Sequence, residues 1–361
     1  MTAFMRACGG CGFLICMKHL RDMKNSIILF LLSLLVLPAA AQVKIVDACD
    51  GSPVTAASVY LADGRCAGVS SAGGVLPLPA GYDGQVTVQH INYKAKTFAT
   101  DTVTGMTVRL EPCVYSIPEV TARYERPDYM VISVYARGYA MGDSVPASFM
   151  DGLYDYYVPM GKGRIRRKVI GERRLYRSDL YGDDTDKGLY VMVPQRLNRK
   201  RLLINRDEVA GYDDVDGDTV FSRGRRGDVT GVRLLADRRQ MEVYKDSMFA
   251  SDDYTISLFG FRARLTNLSR REVYDVSNGS PALENLLKMY VYDCIYWRVH
   301  GKSKPEIRVD RFNELYVTGM SYVSKAEMKA ALSDKKRVEV AVPAGVPPLN
   351  SSLAAAVGAM R

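Results

Sequence analysis

Hydrophobic and polar positions alternate in short runs along most of this chain, and the runs are separated by turn-forming pairs. Residues 43–46, 58–61, 86–91 and 106–110 read as extended, with Asp50-Gly51, Asp63-Gly64, Gly73-Gly74 and Asp83-Gly84 lying between them. Turns this frequent, set among valine-rich alternation, predict an antiparallel β-sandwich rather than βαβ units, whose strands are separated by long helical stretches. The last strand of that first domain closes at Val108-Arg109-Leu110, before Pro112.

The chain beyond Tyr124 keeps the same character with longer runs. Residues 129–139, 148–158, 164–176, 189–193, 231–244, 254–265 and 289–299 are extended, aromatic-rich and partly alternating. In the last of these, Met289, Val291, Ile295 and Trp297 share one parity, while Tyr290, Tyr292, Cys294 and Tyr296 share the other. Successive strand side chains point to opposite faces, so with Asp293 in the first set and Arg298 in the second the strand has one mostly apolar face and one amphipathic face, as in a long antiparallel sheet. Helix signals are few. Ser324-Lys325-Ala326-Glu327 is a capping box, in which hydroxyl and carboxylate satisfy backbone N–H groups that a helix start leaves free. Asn350 caps a second short helix over 351–360, and Pro343, Pro347 and Pro348 keep the two apart.

The expected fold is therefore mainly β: an N-terminal Ig/prealbumin-like antiparallel β-sandwich over 43–112, a linker over 113–123, and a larger antiparallel β-sheet domain over 124–342 that could curl into a half-barrel. A proline-rich tail with a short helix occupies 343–361. The stretch Val46-Asp47, Gly51-Ser52-Pro53-Val54, Ala57-Ser58-Val59-Tyr60-Leu61, Gly68-Val69-Ser70, Val86-Thr87-Val88, Ile91-Asn92-Tyr93 and Val108-Arg109-Leu110-Glu111-Pro112 resembles the carboxypeptidase regulatory-like domain, and 117–122 is similar to the segment that ends such modules. The resemblance implies a sandwich of about seven strands and a place among exported or outer-membrane proteins of Gram-negative bacteria. Asn92 departs from it where glycine is usual, and Ser71-Ala72 where an acidic turn is usual.

The start of the chain agrees with export. Residues 27–37 are an apolar run of 11, too short for the roughly 20 residues of a membrane-spanning helix. Pro38 and Ala39-Ala40-Ala41 follow, so cleavage of a signal peptide after Ala41 is expected, with Met17 and Met23 as alternative starts. Cys49 stands too far from that exit for a lipid anchor, and no later run approaches a transmembrane span. The mature 320 residues carry 45 basic against 39 acidic side chains, a net +6. That balance permits anionic partners, and export argues against nucleic acid. Cys49, Cys66, Cys113 and Cys294 remain, too few for a disulfide scaffold; the expectation is against a Cys49–Cys66 bridge, whose Cα atoms would have to lie within about 7 Å.

Catalytic and metal motifs are sparse. His90 and His300 are the mature histidines, and neither supplies the His-x-x-Glu arrangement of a zinc carboxypeptidase. Gly68-Val69-Ser70-Ser71-Ala72 lacks the second glycine of a nucleophile elbow. Asp213, Asp214, Asp216 and Asp218 gather oxygen ligands, yet Thr219 and Arg225 stand where a calcium loop needs Gly and Glu, so a solvated turn is expected. No cofactor and no enzymatic activity are expected. A carbohydrate-active enzyme is the rival reading, and it would require two facing carboxylates in a tyrosine-lined cleft. The chemistry that stands out is basic: Arg164, Arg166, Arg167 and Lys168, in a stretch with Lys162, Arg173, Arg174 and Arg177 and a second group at Arg196, Arg199, Lys200 and Arg201. The functional reading is a surface for an anionic glycan, lipopolysaccharide or an outer-membrane protein partner. The competing reading is a solvated strand face. The expected role is thus non-catalytic binding or scaffolding in the periplasm or at the outer membrane.

Overall fold

Three sheets account for most of the chain in a computed structural model. It describes residues 42–79, 82–100, 105, 107–117, 127–177, 197, 214–216, 219–223, 228–235, 238–248, 254–258, 261–277, 281–298 and 305–361. The signal segment, residues 189–193, Arg196, Arg199 to Arg201, most of the acidic loop and His300 lie outside the described residues.

The first seven strands form the sandwich: β1 (Gln42–Asp47), β2 (Ser58–Leu61), β3 (Cys66–Val69), β4 (Val75–Pro77), β5 (Gln85–His90), β6 (Tyr93–Ala99) and β7 (Thr107–Leu110). One layer runs β4-β1-β7 and the other β3-β2-β5-β6. Pairing is antiparallel except between β1 and β7, which run parallel, a departure from the all-antiparallel expectation. Alternation sets the packing: Val43 and Ile45 of β1 and Val108 and Leu110 of β7 are buried, while Lys44 and Arg109 point out. Gly74 holds φ +72° in the β3–β4 turn, and a Cβ there would strike the Ile45 carbonyl.

The large sheet contains 11 strands, β8 (Tyr129–Gly142), β9 (Val145–Pro159), β10 (Arg166–Tyr176), β11 (Asp214–Asp216), β12 (Thr219–Arg223), β13 (Val229–Leu234), β14 (Gln240–Met248), β15 (Thr255–Leu258), β16 (Phe261–Asp275), β17 (Leu286–Arg298) and β18 (Ile307–Val323). Its order is β10-β9-β8-β18-β17-β16-β14-β13-β12-β11, with β15 pairing on β16, so it is open rather than a closed barrel. All its pairs are antiparallel. Residues expected as single strands over 231–244 and 254–265 are hairpins instead, the first turning through Arg238 at φ 53°. The longest strand, β18, has no counterpart among the expected segments.

One face of this sheet carries the sandwich. Tyr60, Cys66 and Ile91 from the sandwich share a core with Tyr139, Phe149, Tyr290, Tyr292 and Phe312 from the sheet, and the Tyr60 and Tyr139 hydroxyls meet at 2.8 Å. Charged side chains are buried in the same interface. Arg137 and Glu314, 2 % and 3 % exposed, pair at 2.6 Å. Arg271 donates both Nη groups to Asp246 at 2.9 and 3.0 Å, and Arg233 reaches Asp47 of β1 at 2.9 Å and the Tyr93 hydroxyl at 2.9 Å. Lys288 Nζ donates to the Ile91 carbonyl at 2.9 Å. Buried charges persist only when compensated by a counter-charge or hydrogen bonds; the three arginines have carboxylate partners, and Lys288 has backbone carbonyls. The opposite face carries an apolar cluster in which Met130, Ile132, Val134, Tyr154, Tyr156, Leu315 and Val317 are buried together with Leu197.

The two helices end the chain on the sandwich-bearing side. Helix α1 (Lys325–Ser333) starts at the Ser324/Glu327 capping box and buries Met328 against Val131 and Tyr157. Helix α2 (Ser351–Gly358) is capped by Asn350, whose Oδ1 accepts from Leu353 N–H, and sets Leu353 and Val357 into the shared core. Between them the chain crosses the edge strand β10, where Val338 N–H donates to Ile170 at 2.9 Å, and beyond α2 Arg361 exchanges two backbone bonds with Tyr176. A β-bulge between Val169 and Gly171 makes room for this crossing, since a Cβ on Gly171 would strike the Val338 carbonyl.

Candidate anionic-ligand surface

The β9–β10 hairpin ends in Met160, Gly161, Lys162, Gly163 and Arg164, all exposed. Strand β10 opens at Arg166, so Arg164 precedes the strand and the expected alternating row shrinks to Arg166 and Lys168. Arg167 points to the other face and lies over the Tyr154 ring, 5.5 Å from its centroid. Lys168 is largely covered and pairs with Asp334 at 3.1 Å. The four sequence-selected residues are thus neighbours on one hairpin but divided between two faces. Arg164, Arg166 and Arg167 are exposed; Arg164 and Arg166 have no carboxylate partner among the described residues, while Arg167 lies close enough to Glu172 to help hold its carboxyl ionised.

Arg173 and Arg174 of the same stretch bind carboxylates within the fold. Arg173 grips the buried Asp151 with two bonds, at 2.9 and 2.7 Å, and Arg174 bonds Glu172 at 2.7 Å. Burial opposes ionisation of Glu172, but donors from Arg174 and Tyr154 outweigh it and hold the carboxyl below the usual range.

A second set of bases joins the hairpin from the other end of the chain. Asp128 links the two: its carbonyl accepts from Met160 N–H at 2.9 Å, and its Oδ2 accepts from Lys325 N–H at 2.7 Å. Helix α1 therefore begins beside the hairpin tip. Lys325, Lys329, Lys335, Lys336 and Arg337 are exposed along the helix and its exit, and the Arg337 guanidinium bonds the Val169 carbonyl. The carboxylates interleaved with them are engaged. Glu327 caps the helix, and Asp334 accepts from Lys336 N–H and from Lys168, which together hold its carboxyl below the ordinary value. The lysine-rich exit, Lys335-Lys336-Arg337, was visible in the sequence as three consecutive bases, but nothing local showed that it lies against residues 168–171.

Elsewhere the titratable groups are closed off. His90 is buried against the Tyr93 ring at 5.1 Å, and its Nδ1 accepts from Asn92 N–H. Burial, followed by the nearby cations Arg271, Lys288 and Arg233, pushes its pKa well below the ordinary value, so the ring is neutral. Cys66 is buried and its thiol is pushed far up by burial, while burial raises the Cys294 thiol to about 11. Cys49 is exposed, and the four cysteines among the described residues are free thiols. Among the described residues no group of His, Cys, Asp or Glu is placed to hold a metal ion, and no helix is long and apolar enough to cross a membrane. A pocket of about 270 Å³ opens between the sandwich and the sheet; Asp246 is its one lining carboxylate.

No family model matches this chain, and no curated protein matches it. Among solved structures, a lipovitellin structure concerned with lipid–protein interactions is similar over 61 % of this chain and 27 % of that one, at 11 % identity and a TM-score of 0.33. The chain spans about a quarter of the length of that structure, and a likeness this slight fixes neither fold nor function.

Proposed function

We propose that this is an exported, non-catalytic binding or scaffolding protein of the periplasm or outer membrane, which docks on anionic glycan or lipopolysaccharide through the end of its large sheet that carries the β9–β10 hairpin and α1. The observation that supports the reading is the convergence of Lys162, Arg164 and Arg166 with Lys325, Lys329, Lys335, Lys336 and Arg337, while Glu327 and Asp334 among them are tied to the helix cap, a backbone donor and Lys168. Clustered exposed cations raise the local concentration of polyanions and steer their approach, and the resemblance of residues 43–122 to regulatory-like modules of exported proteins supplies the compartment. The rival glycosidase reading needs two facing carboxylates, and the described pocket offers Asp246 alone. The test is binding of the purified protein to immobilised lipopolysaccharide and to an acidic glycan, with Arg164, Arg166 and Arg167 changed together to Ser. Loss of binding with unchanged thermal stability is expected; binding that ignores these changes would remove the hairpin from the function.

A further inference from the structure

The chain between α1 and α2 carries a surface of a different kind. Residues 337–342 read Arg-Val-Glu-Val-Ala-Val, with a β-branched side chain at every second position, and Pro343 follows. That pattern suits a strand. Its inner side is held by the large sheet: Val338 N–H donates to the Ile170 carbonyl of β10 at 2.9 Å, the Val338 carbonyl lies against Gly171, and Val340 packs on the core shared by sandwich and sheet. Its outer side is bare among the described residues. The backbones of Glu339, Val340, Ala341 and Val342 make no hydrogen bond there, Glu339 and Ala341 are exposed, and Val338 and Val342 are 45 % and 51 % exposed.

Alternate residues of an extended chain turn their N–H and C=O groups to opposite sides. Val338 faces β10, so Glu339 and Ala341 face away from it. Free backbone groups along a sheet edge are a template for a further strand, and the side chains beside them decide which strand fits. An antiparallel second copy centred on Val340 sets Val338 of each chain opposite Val342 of the other and Glu339 opposite Ala341. Glu339 and Ala341 then exchange N–H···O=C bonds on both sides of a twofold axis, and the exposed valines cover one another. Arg337 falls opposite Pro343, and Lys336 and Lys335 opposite Ala344 and Gly345, so the bases of the two copies stay at opposite ends. A parallel second copy would instead set Arg337 beside Arg337 and Glu339 beside Glu339. We propose that residues 337–342 pair antiparallel with the same segment of a second copy of this chain, joining two molecules edge to edge. Such a contact uses the same patch on both partners and closes on itself, so it yields a dimer rather than a filament.

The test is analytical ultracentrifugation and light scattering of the full chain over a range of concentrations, on which the protein should form a concentration-dependent dimer. Changing Val338→Lys together with Val342→Lys sets lysine opposite lysine at both cross-strand positions and should weaken the dimer about tenfold or more. Changing Val338→Lys together with Val342→Glu sets lysine opposite glutamate and should bring association back toward that of the unaltered chain. Both valines are about half exposed within one chain, so the two variants should share one unfolding temperature, which excludes misfolding as the source of the difference. A chain that is monomeric at every concentration would overturn the inference and leave the segment to a strand of another protein. A doubly basic variant that dimerises as the unaltered chain does, or a mixed-charge variant as weak as the doubly basic one, would overturn it equally.

Discussion

Arginine does opposite work in two regions of this molecule. At the sandwich–sheet interface, Arg137, Arg233 and Arg271 are buried, each grips a carboxylate, and each contacts chain far away in sequence: Pro347, Asp47 and Thr55. At the β9–β10 hairpin, Arg164, Arg166 and Arg167 are exposed, and none of them forms an ion-paired contact with a carboxylate among the described residues. Buried arginines fix the fold because an uncompensated charge there has no solvent to fall back on, whereas exposed ones contribute little to stability and remain available to a partner. Charge content alone therefore does not separate bases that hold the fold from bases that stay exposed to solvent.

The largest effect should come from breaking a buried pair. Glu314→Gln leaves the Arg137 guanidinium without its counter-ion in a site 2 % exposed and should cost about 3–5 kcal/mol, read from urea unfolding. A cost below about 1 kcal/mol would mean that the interface is open to water. Lys288→Met comes next. It removes the ammonium that bonds the Ile91 carbonyl, leaving that buried acceptor unsatisfied, and should cost about 1–3 kcal/mol.

A smaller effect should appear with pH. The His90 pKa is lowered in the folded protein by burial and by the surrounding cations, from an ordinary value of 6.5. Its neutral form is favoured by folding, so its contribution is fully present above 6.5 and is lost as pH falls below that value, because the unfolded chain takes up the proton first. The urea midpoint should drop between pH 7 and pH 5, and His90→Gln should flatten that decline. An identical slope in the variant would assign it to other groups. Smallest of all, Arg164→Ser or Arg166→Ser should change stability by less than about 0.5 kcal/mol, as exposed positions do.

The sandwich was legible because its strands are short, valine-rich and punctuated by Asp-Gly and Gly-Gly. Both helix caps were legible for the same local reason: Ser324, Glu327 and Asn350 act within three or four residues. Strand β18 was hidden. Arg308, Asp310 and Glu314 occupy its buried sandwich-facing parity, with Arg311 and Asn313 on the other, so neither face reads as apolar although Phe312, Leu315 and Tyr316 are fully buried. Asp310 accepts from Tyr292, and Glu314 binds Arg137; these cross-strand partners, absent from any local window, make the burial tolerable. Asn92 shows the same limit. It looked like a loss of glycine, yet its amide donates to Glu242 at 2.8 Å and ties the β5–β6 turn to the large sheet. Of the candidate site, sequence supplied the hairpin bases, while the approach of α1 and its exit depends on pairing across more than 160 positions.

The central claim is that the unpaired bases, and not the buried ones, meet a partner. Its most direct measurement is the affinity of the purified protein for lipopolysaccharide-bearing vesicles as a function of salt, compared with the variant carrying Ser at 164, 166 and 167. Charges exposed to solvent are screened over about 8 Å at physiological ionic strength, so binding should weaken steadily as salt rises, and the variant should bind more weakly with a shallower salt dependence. Equal affinity and equal salt dependence in the two proteins would contradict the account and leave the hairpin as a solvated strand end.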